Sequence, residues 1–193
     1  MENIKNIFSV PIFNTYLNTN TTKLIEMAYE EKELNPEGRH KSNQGGYQTE
    51  ELNYNKYKFL FDKINPHVID YYKLFKFKKA ELFLSSFWTN ISKYKDFNGS
   101  HCHSTSTISG VLYLKTPETP KCGKIVFEHP YSGMDFFING ADVGDDSCVY
   151  SIYYYNPNEN LFLLFPSWLK HYVEPNQTKE DRISMSFNFS TRW

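Results

Sequence analysis

The sequence predicts a mainly β domain with flanking helices (α+β), built as a sandwich or jelly roll. From Ala80 onward, short runs of β-branched and aromatic residues recur between clusters of Gly, Pro, Asn and Asp. Several strands at this spacing favour two packed antiparallel sheets over a parallel α/β sheet. Up to about Lys79 the chain instead mixes one short strand with helical patterns. A length of 193 residues suggests one domain, with 1–79 as N-terminal support and 80–193 as the core. A composition 40% hydrophobic and 18% aromatic supplies a sizeable core and argues against disorder.

The elements follow in order. Ile7 to Phe13 is an apolar run interrupted by Pro11, which suits an edge strand. Thr21 to Leu34 reads as a helix capped by Asn20 or Thr21. Leu24, Ile25, Ala28 and Tyr29 share one face, and Asn35-Pro36-Glu37-Gly38 stops it. Arg39 to Thr49 is polar and contains glycine, so it reads as a loop. Asn53 to Phe77 is a second helical region that Pro66 should break or kink, with Asn65 as the new cap. The core strands are expected at Ala80–Ile91, Ile108–Thr116, Lys124–Glu128, Cys148–Tyr155, Leu161–Phe165 and Arg182–Thr191. Tyr131 to Ser147 is long and carries Gly133, Gly140 and Gly144, as expected of a segment covering a site.

Charge and composition exclude several functions. A net charge of -1 removes the main argument for nonspecific nucleic-acid binding or a polybasic membrane contact. No apolar run approaches the roughly 20 residues that span a bilayer. Met1 to Phe13 lacks the basic head and continuous apolar stretch of a signal peptide. Cys102, Cys122 and Cys148 are too few for a disulfide scaffold and read as free thiols in a reducing compartment, so a cytoplasmic location is expected. The apolar first strand leaves pairing into a homodimer open.

Four stretches carry chemistry. In Gly99-Ser100-His101-Cys102-His103, two histidines two apart on an extended chain project to one face, which suits a shared metal. Taken alone, they would more often be surface histidines. His171 follows a very apolar strand, in Phe165-Pro166-Ser167-Trp168-Leu169-Lys170-His171. Three imidazoles would bind Fe, Zn, Cu or Ni, so ligand type does not choose the metal. In Arg182-Ile183-Ser184-Met185-Ser186-Phe187-Asn188-Phe189, the polar and apolar residues alternate cleanly. That is either an ordinary half-solvated strand or the inner face of a barrel, where the Arg182 fork would need an anion such as a carboxylate. In Ser109-Gly110-Val111-Leu112-Tyr113, Tyr113 is either a core aromatic or a hydroxyl that helps hold that anion.

As an ordered set, these motifs resemble the 2-oxoglutarate/Fe(II)-dependent oxygenases of bacteria and phages. Trp88-x-Asn90-Ile91, Gly45-Gly46-Tyr47-Gln48-Thr49 and Phe8-x-x-Pro11-Ile12 are similar too, so the resemblance spans nearly the whole chain. It implies a double-stranded β-helix, a cupin-like jelly roll around a metal. It implies Fe(II) at His101, His103 and His171, and 2-oxoglutarate at Arg182 with Tyr113 and Ser184 in support. Asn90 would line the same pocket. His103 stands where most such enzymes carry Asp or Glu; there a neutral imidazole replaces an anion, and Glu128 is a reserve ligand. The implied reaction is hydroxylation of an unidentified primary substrate with O2, releasing succinate and CO2. Phe136, Phe137 and Tyr131 would help exclude water. The implied location is the cytoplasm of a bacterium or phage-infected host. Two other readings use the same residues. One is a three-His cupin-like dioxygenase that does not use 2-oxoglutarate and gives Arg182 no special task. The other is a non-catalytic jelly-roll binding or structural protein.

Overall fold

A computed structural model describes residues 9–78, 80–131 and 151–193. Two antiparallel sheets face each other. The six-stranded sheet runs β1-β9-β6-β11-β4-β3, and the five-stranded sheet runs β2-β5-β10-β7-β8. Their strands are β1 (Phe13–Tyr16), β2 (Asn43–Gln44), β3 (Tyr47–Gln48), β4 (Glu81–Ser92), β5 (Phe97–His101), β6 (Ile108–Lys115), β7 (Ile125–Glu128), β8 (Ile152–Tyr155), β9 (Leu161–Pro166), β10 (His171–Val173) and β11 (Arg182–Arg192). Helices α1 (Thr21–Leu34) and α2 (Tyr54–Lys73) complete the described fold.

Helix α1 has the predicted bounds. Asn20 caps it, its side chain accepting from Lys23 N–H at 3.1 Å. Helix α2 differs from expectation, because it runs unbroken through Pro66. Its buried stripe of Tyr57, Leu60, Phe61, Ile64, Val68 and Tyr71 extends on both sides of the proline and holds both halves to one surface. Pro66 and Asp62 are both on the exposed side, so water can satisfy the Asp62 carbonyl that proline leaves without a donor. The first strand also differs: it lies at Phe13–Tyr16, although at a sheet edge as expected. The Arg39–Thr49 segment contains the two-residue strands β2 and β3. Ile7, Phe8, Phe136, Phe137 and Cys148 lie outside the described residues, as does most of Tyr131 to Ser147.

Strand alternation divides the core in two. One face of β4, β6, β9 and β11 presents Phe87, Ile91, Leu112, Phe162, Met185 and Phe187 to the helices. Phe61 meets Phe87 and Phe187 edge-on, at 4.9 and 5.8 Å between ring centres. Between the sheets, Val111, Tyr113, Leu163 and Phe165 pack on Ile125, Phe127 and Leu169. The Tyr57 hydroxyl is buried in the helix-facing core without a hydrogen-bond partner. Tyr57→Phe removes that desolvated group and keeps the ring contact with Phe87. Stability should hold or rise by up to about 1 kcal/mol, read as the thermal midpoint.

Candidate active site

The inner face of the six-stranded sheet is polar in rows. On the central strands β4, β11 and β6, Ser184 lies opposite both Asn90 and Tyr113. Two residues along, Ser186 lies between Trp88 and Val111. Two more along, Asn188 lies between Ser86 and Ser109. At the other end of β11, Arg182 lies opposite Ser92. The period of two that sends Ile183, Met185 and Phe187 to the helices sends these groups into the space between the sheets.

The histidines come from the opposite sheet. β10 pairs with β5 so that His171 sits directly across from His101, and His103 follows two residues after β5. Ring centres are 4.4 Å apart for His101–His171, 5.1 Å for His101–His103 and 5.3 Å for His103–His171. One ligand nitrogen from each lies within 4.8 Å of the others, a group able to hold a metal ion. His101 Nδ1 lies 2.7 Å from Gly99 O, and His171 Nδ1 lies 2.9 Å from Leu169 O. A carbonyl only accepts, so both Nδ1 atoms carry the proton and both Nε2 lone pairs are free for a ligand bond. Glu128 is not part of this cluster, since it is hydrogen-bonded to the Ser100 hydroxyl. Cys102 points outward and is exposed, as alternation predicts.

Burial keeps the three rings neutral. Desolvation lowers the pKa of His101, opposed by its hydrogen bond to Gly99. Desolvation, with His101 nearby, brings His103 down to about 4 and His171 to about 3. Neutral imidazoles are what a metal requires. These shifts also set an acid limit on the metal-free fold. The ordinary value is 6.5, so below it the unfolded chain binds protons that folded His103 and His171 refuse. Stability is therefore full above about pH 6.5 and falls as the pH drops toward 4 and 3. Urea midpoints measured near pH 7 and near pH 5 should show this loss, and His103→Phe should reduce it.

Arg182 lies at the far end of the same cavity, 3% exposed. Its Nη1 donates to Cys122 O at 2.6 Å, Glu174 O at 3.1 Å and Gly123 O at 3.4 Å, and its Nη2 donates to Ser92 Oγ at 3.1 Å. Every partner is neutral. Desolvation lowers its pKa, opposed by Tyr113, by Cys122 and, from beyond ion-pair distance, by Asp96. Among the described residues no carboxylate pairs with it, so a buried cation faces a cavity with bonding capacity to spare. Asn90 Oδ1 is a buried polar atom without a partner in the same cavity, while Asn90 Nδ2 donates to Ser186 Oγ at 3.1 Å. His101, His103, His171, Arg182, Tyr113, Ser184 and Asn90, the seven residues singled out in the sequence, all line this one pocket.

The pocket opens at its histidine end into a wider cavity of about 810 Å³. Trp88, His101, His103 and Asn188 line both spaces. Arg39, His40, Lys41, Gln48 and Glu51 form much of the outer wall. This wall was not legible in the sequence, because it assembles from a polar loop without periodicity. The neutral groups around Arg182 were missed for a related reason: backbone carbonyls have no residue signature. Gly123, at φ +89°, shapes the turn that supplies two of them.

Comparisons with known proteins bear on the family and the fold. Residues 86–188, just over half of the chain, match a family profile described as Putative 2OG-Fe(II) oxygenase. Comparison with curated proteins gave no match. Solved structures share the fold. A Pseudomonas putida prolyl-4-hydroxylase is 13% identical, with 94% of this chain and 93% of that one covered at a TM-score of 0.61. The viral collagen prolyl hydroxylase of Paramecium Bursaria Chlorella virus-1, solved with 2OG, is 14% identical over 92% and 94% at 0.59. HygX from Streptomyces hygroscopicus, solved with nickel and 2-oxoglutarate, is 11% identical over 94% and 83% at 0.62. These folds are the double-stranded β-helix that the two sheets form here. No helix among the described residues is long and apolar enough to cross a membrane. The profile covers the strands that bring the histidines and Arg182 into one cavity, and by that match the chain belongs to the 2OG-Fe(II) oxygenase family.

Proposed function

We propose that His101, His103 and His171 hold Fe(II), that Arg182 holds the far carboxylate of 2-oxoglutarate, and that the protein hydroxylates a polar primary substrate. One observation carries the reading: a buried guanidinium with only neutral hydrogen-bond partners shares one pocket with three neutral imidazoles. That donor set fits both groups. Three nitrogens leave coordination positions for a chelating keto acid, and the arginine fork matches a carboxylate in charge and shape. When bound, iron and 2-oxoglutarate supply an O2-derived oxidant, and 2-oxoglutarate leaves as succinate and CO2.

The chain's own residues bind and orient. The Gly99 and Leu169 carbonyls fix the tautomers of His101 and His171. The carbonyls of Cys122, Gly123 and Glu174 hold Nη1 and the Ser92 hydroxyl takes one Nη2–H, leaving Nε–H and the second Nη2–H for the ligand. Tyr113 and Ser184 stand beside Arg182 as further hydrogen-bond donors to the same carboxylate. Among the described residues the outer cavity has one aromatic platform, Trp88, in an otherwise polar wall, which supports a polar primary substrate seated next to His103.

Anaerobic addition of Fe(II) and then 2-oxoglutarate to the metal-free protein should give a weak visible charge-transfer band that needs both. His171→Ala should lose it. Iron binding with no band on adding 2-oxoglutarate would favour a three-His dioxygenase that uses another co-substrate.

A further inference from the structure

Asn188 lies at the neck between the two cavities and lines both. Its amide sits in a chain of hydroxyls. Ser109 Oγ is 2.9 Å from Oδ1 and 2.8 Å from Ser167 Oγ, and Ser86 Oγ is 3.2 Å from Nδ2. Asn188 Nδ2 is also 3.5 Å from His103 Nδ1. His103 thus differs from the other two histidines. They give Nδ1–H to a carbonyl two residues upstream, whereas its Nδ1 meets a side-chain amide.

That difference matters for a metal ligand. A neutral imidazole carries one proton, and the nitrogen that binds an ion must be bare. With Nδ1 turned to Asn188, the ligand atom is Nε2, so the proton belongs on Nδ1 and needs an acceptor there. We infer that Asn188 is a positioning residue. In the metal-loaded protein it presents its amide oxygen to His103 Nδ1–H and thereby selects the ligating tautomer. A half-turn of the amide exchanges its oxygen and nitrogen without losing a bond in the network. Nδ2 then donates to Ser109 Oγ, whose O–H donates to Ser167 Oγ, while Ser86 donates to the amide oxygen. Ser86, Ser109 and Ser167 hold the amide in place, and Asn188 holds the ring. This inference rests on the three histidines being the metal centre.

The test is a Co(II) titration of wild type, Asn188→Leu and Asn188→Asp, followed by the visible d–d spectrum. Asn188→Leu keeps the side-chain shape but cannot accept, and its apparent Kd should rise about 10- to 100-fold. Asn188→Asp accepts only and should restore binding to within a few-fold of wild type, with a shifted spectrum. A purely structural role would not be rescued this way, because it would place an acid in the same buried network. Long-range ¹H–¹⁵N histidine spectra of the Zn(II)-loaded wild type should put the His103 proton on Nδ1. A proton on Nε2, or Asn188→Leu binding within twofold of wild type, overturns the inference. The spectrum of the wild type decides even if Asn188→Leu does not fold. Wild type that binds neither ion overturns the metal-centre reading itself, and this inference with it.

Discussion

Arg182→Ala is expected to weaken 2-oxoglutarate binding about 100-fold while Co(II) binding at the histidines stays within about twofold. The guanidinium and its ligand carboxylate would form two charge-assisted hydrogen bonds in a site nearly free of water. Together these contribute about 3 kcal/mol, which is roughly two orders of magnitude in Kd. The variant also strips donors from Cys122 O and Glu174 O, so about 1–3 kcal/mol of stability should go with it. Separate titrations of metal and of 2-oxoglutarate, with a denaturant midpoint, resolve the two effects. Arg182→Lys keeps the charge and loses the fork, so it should fall between wild type and Arg182→Ala. Undiminished 2-oxoglutarate binding in Arg182→Ala would move the anion site elsewhere and favour an enzyme with a different co-substrate.

The second large effect lies outside the cavity lining. Gly123 adopts φ +89°, where a side chain is strained. A Cβ there would lie 2.2 Å from Glu174 O and 2.6 Å from Arg182 Nη1. Neither neighbour can yield easily, since one is backbone and the other is clamped by that same backbone. Gly123→Ala should therefore cost about 1–3 kcal/mol from the backbone alone. It should also push the guanidinium off its carbonyls and raise the Kd for 2-oxoglutarate about tenfold or more, again with metal binding unchanged. A calorimetric titration of 2-oxoglutarate against the metal-loaded variant checks this. Destabilisation with no change in Kd would mean that Arg182 is held by Ser92 and the cavity rather than by the Gly123 turn.

Much of this was legible in the sequence where a local rule and the tertiary structure agree. Helix α1 has its cap at Asn20, its apolar face and its stop at Asn35, and it forms where these place it. β11 keeps the alternation read from Arg182 to Phe189, with Ile183, Met185, Phe187 and Phe189 in the helix-facing core and Arg182, Ser184, Ser186 and Asn188 on the pocket. Pro66 misled because the rule for proline is local, whereas the buried stripe of α2 decides the outcome over five turns. Strands of two or three residues, such as β2, β3 and β10, are too short to show any period and exist because longer neighbours pair with them. At the site, the side chains came through and their supports did not. His101, His103, His171 and Arg182 are chemically distinctive; the carbonyls of Gly99, Leu169, Cys122 and Glu174 are not. The contact between Asn188 and His103 crosses from one sheet to the other, a distance no single strand pattern encodes.

The placement of Arg182, Ser184, Ser186 and Asn188 on one uninterrupted strand bears on how this site can change over generations. Substitutions can alter its members one at a time, but an inserted or deleted residue within that stretch would turn every member on one side of it toward the helices and split the polar row. The register of β11 shifts against β4 between Asn188 and Phe189 and against β6 between Ile183 and Ser184, and in both places the extra residue, Ser85 or Leu114, lies on the neighbouring strand. Irregularity is thus carried by the neighbouring strands, while β11 runs through without an extra residue. Relatives that diverge in substrate would then keep this strand at constant length and vary in the loops that wall the outer cavity.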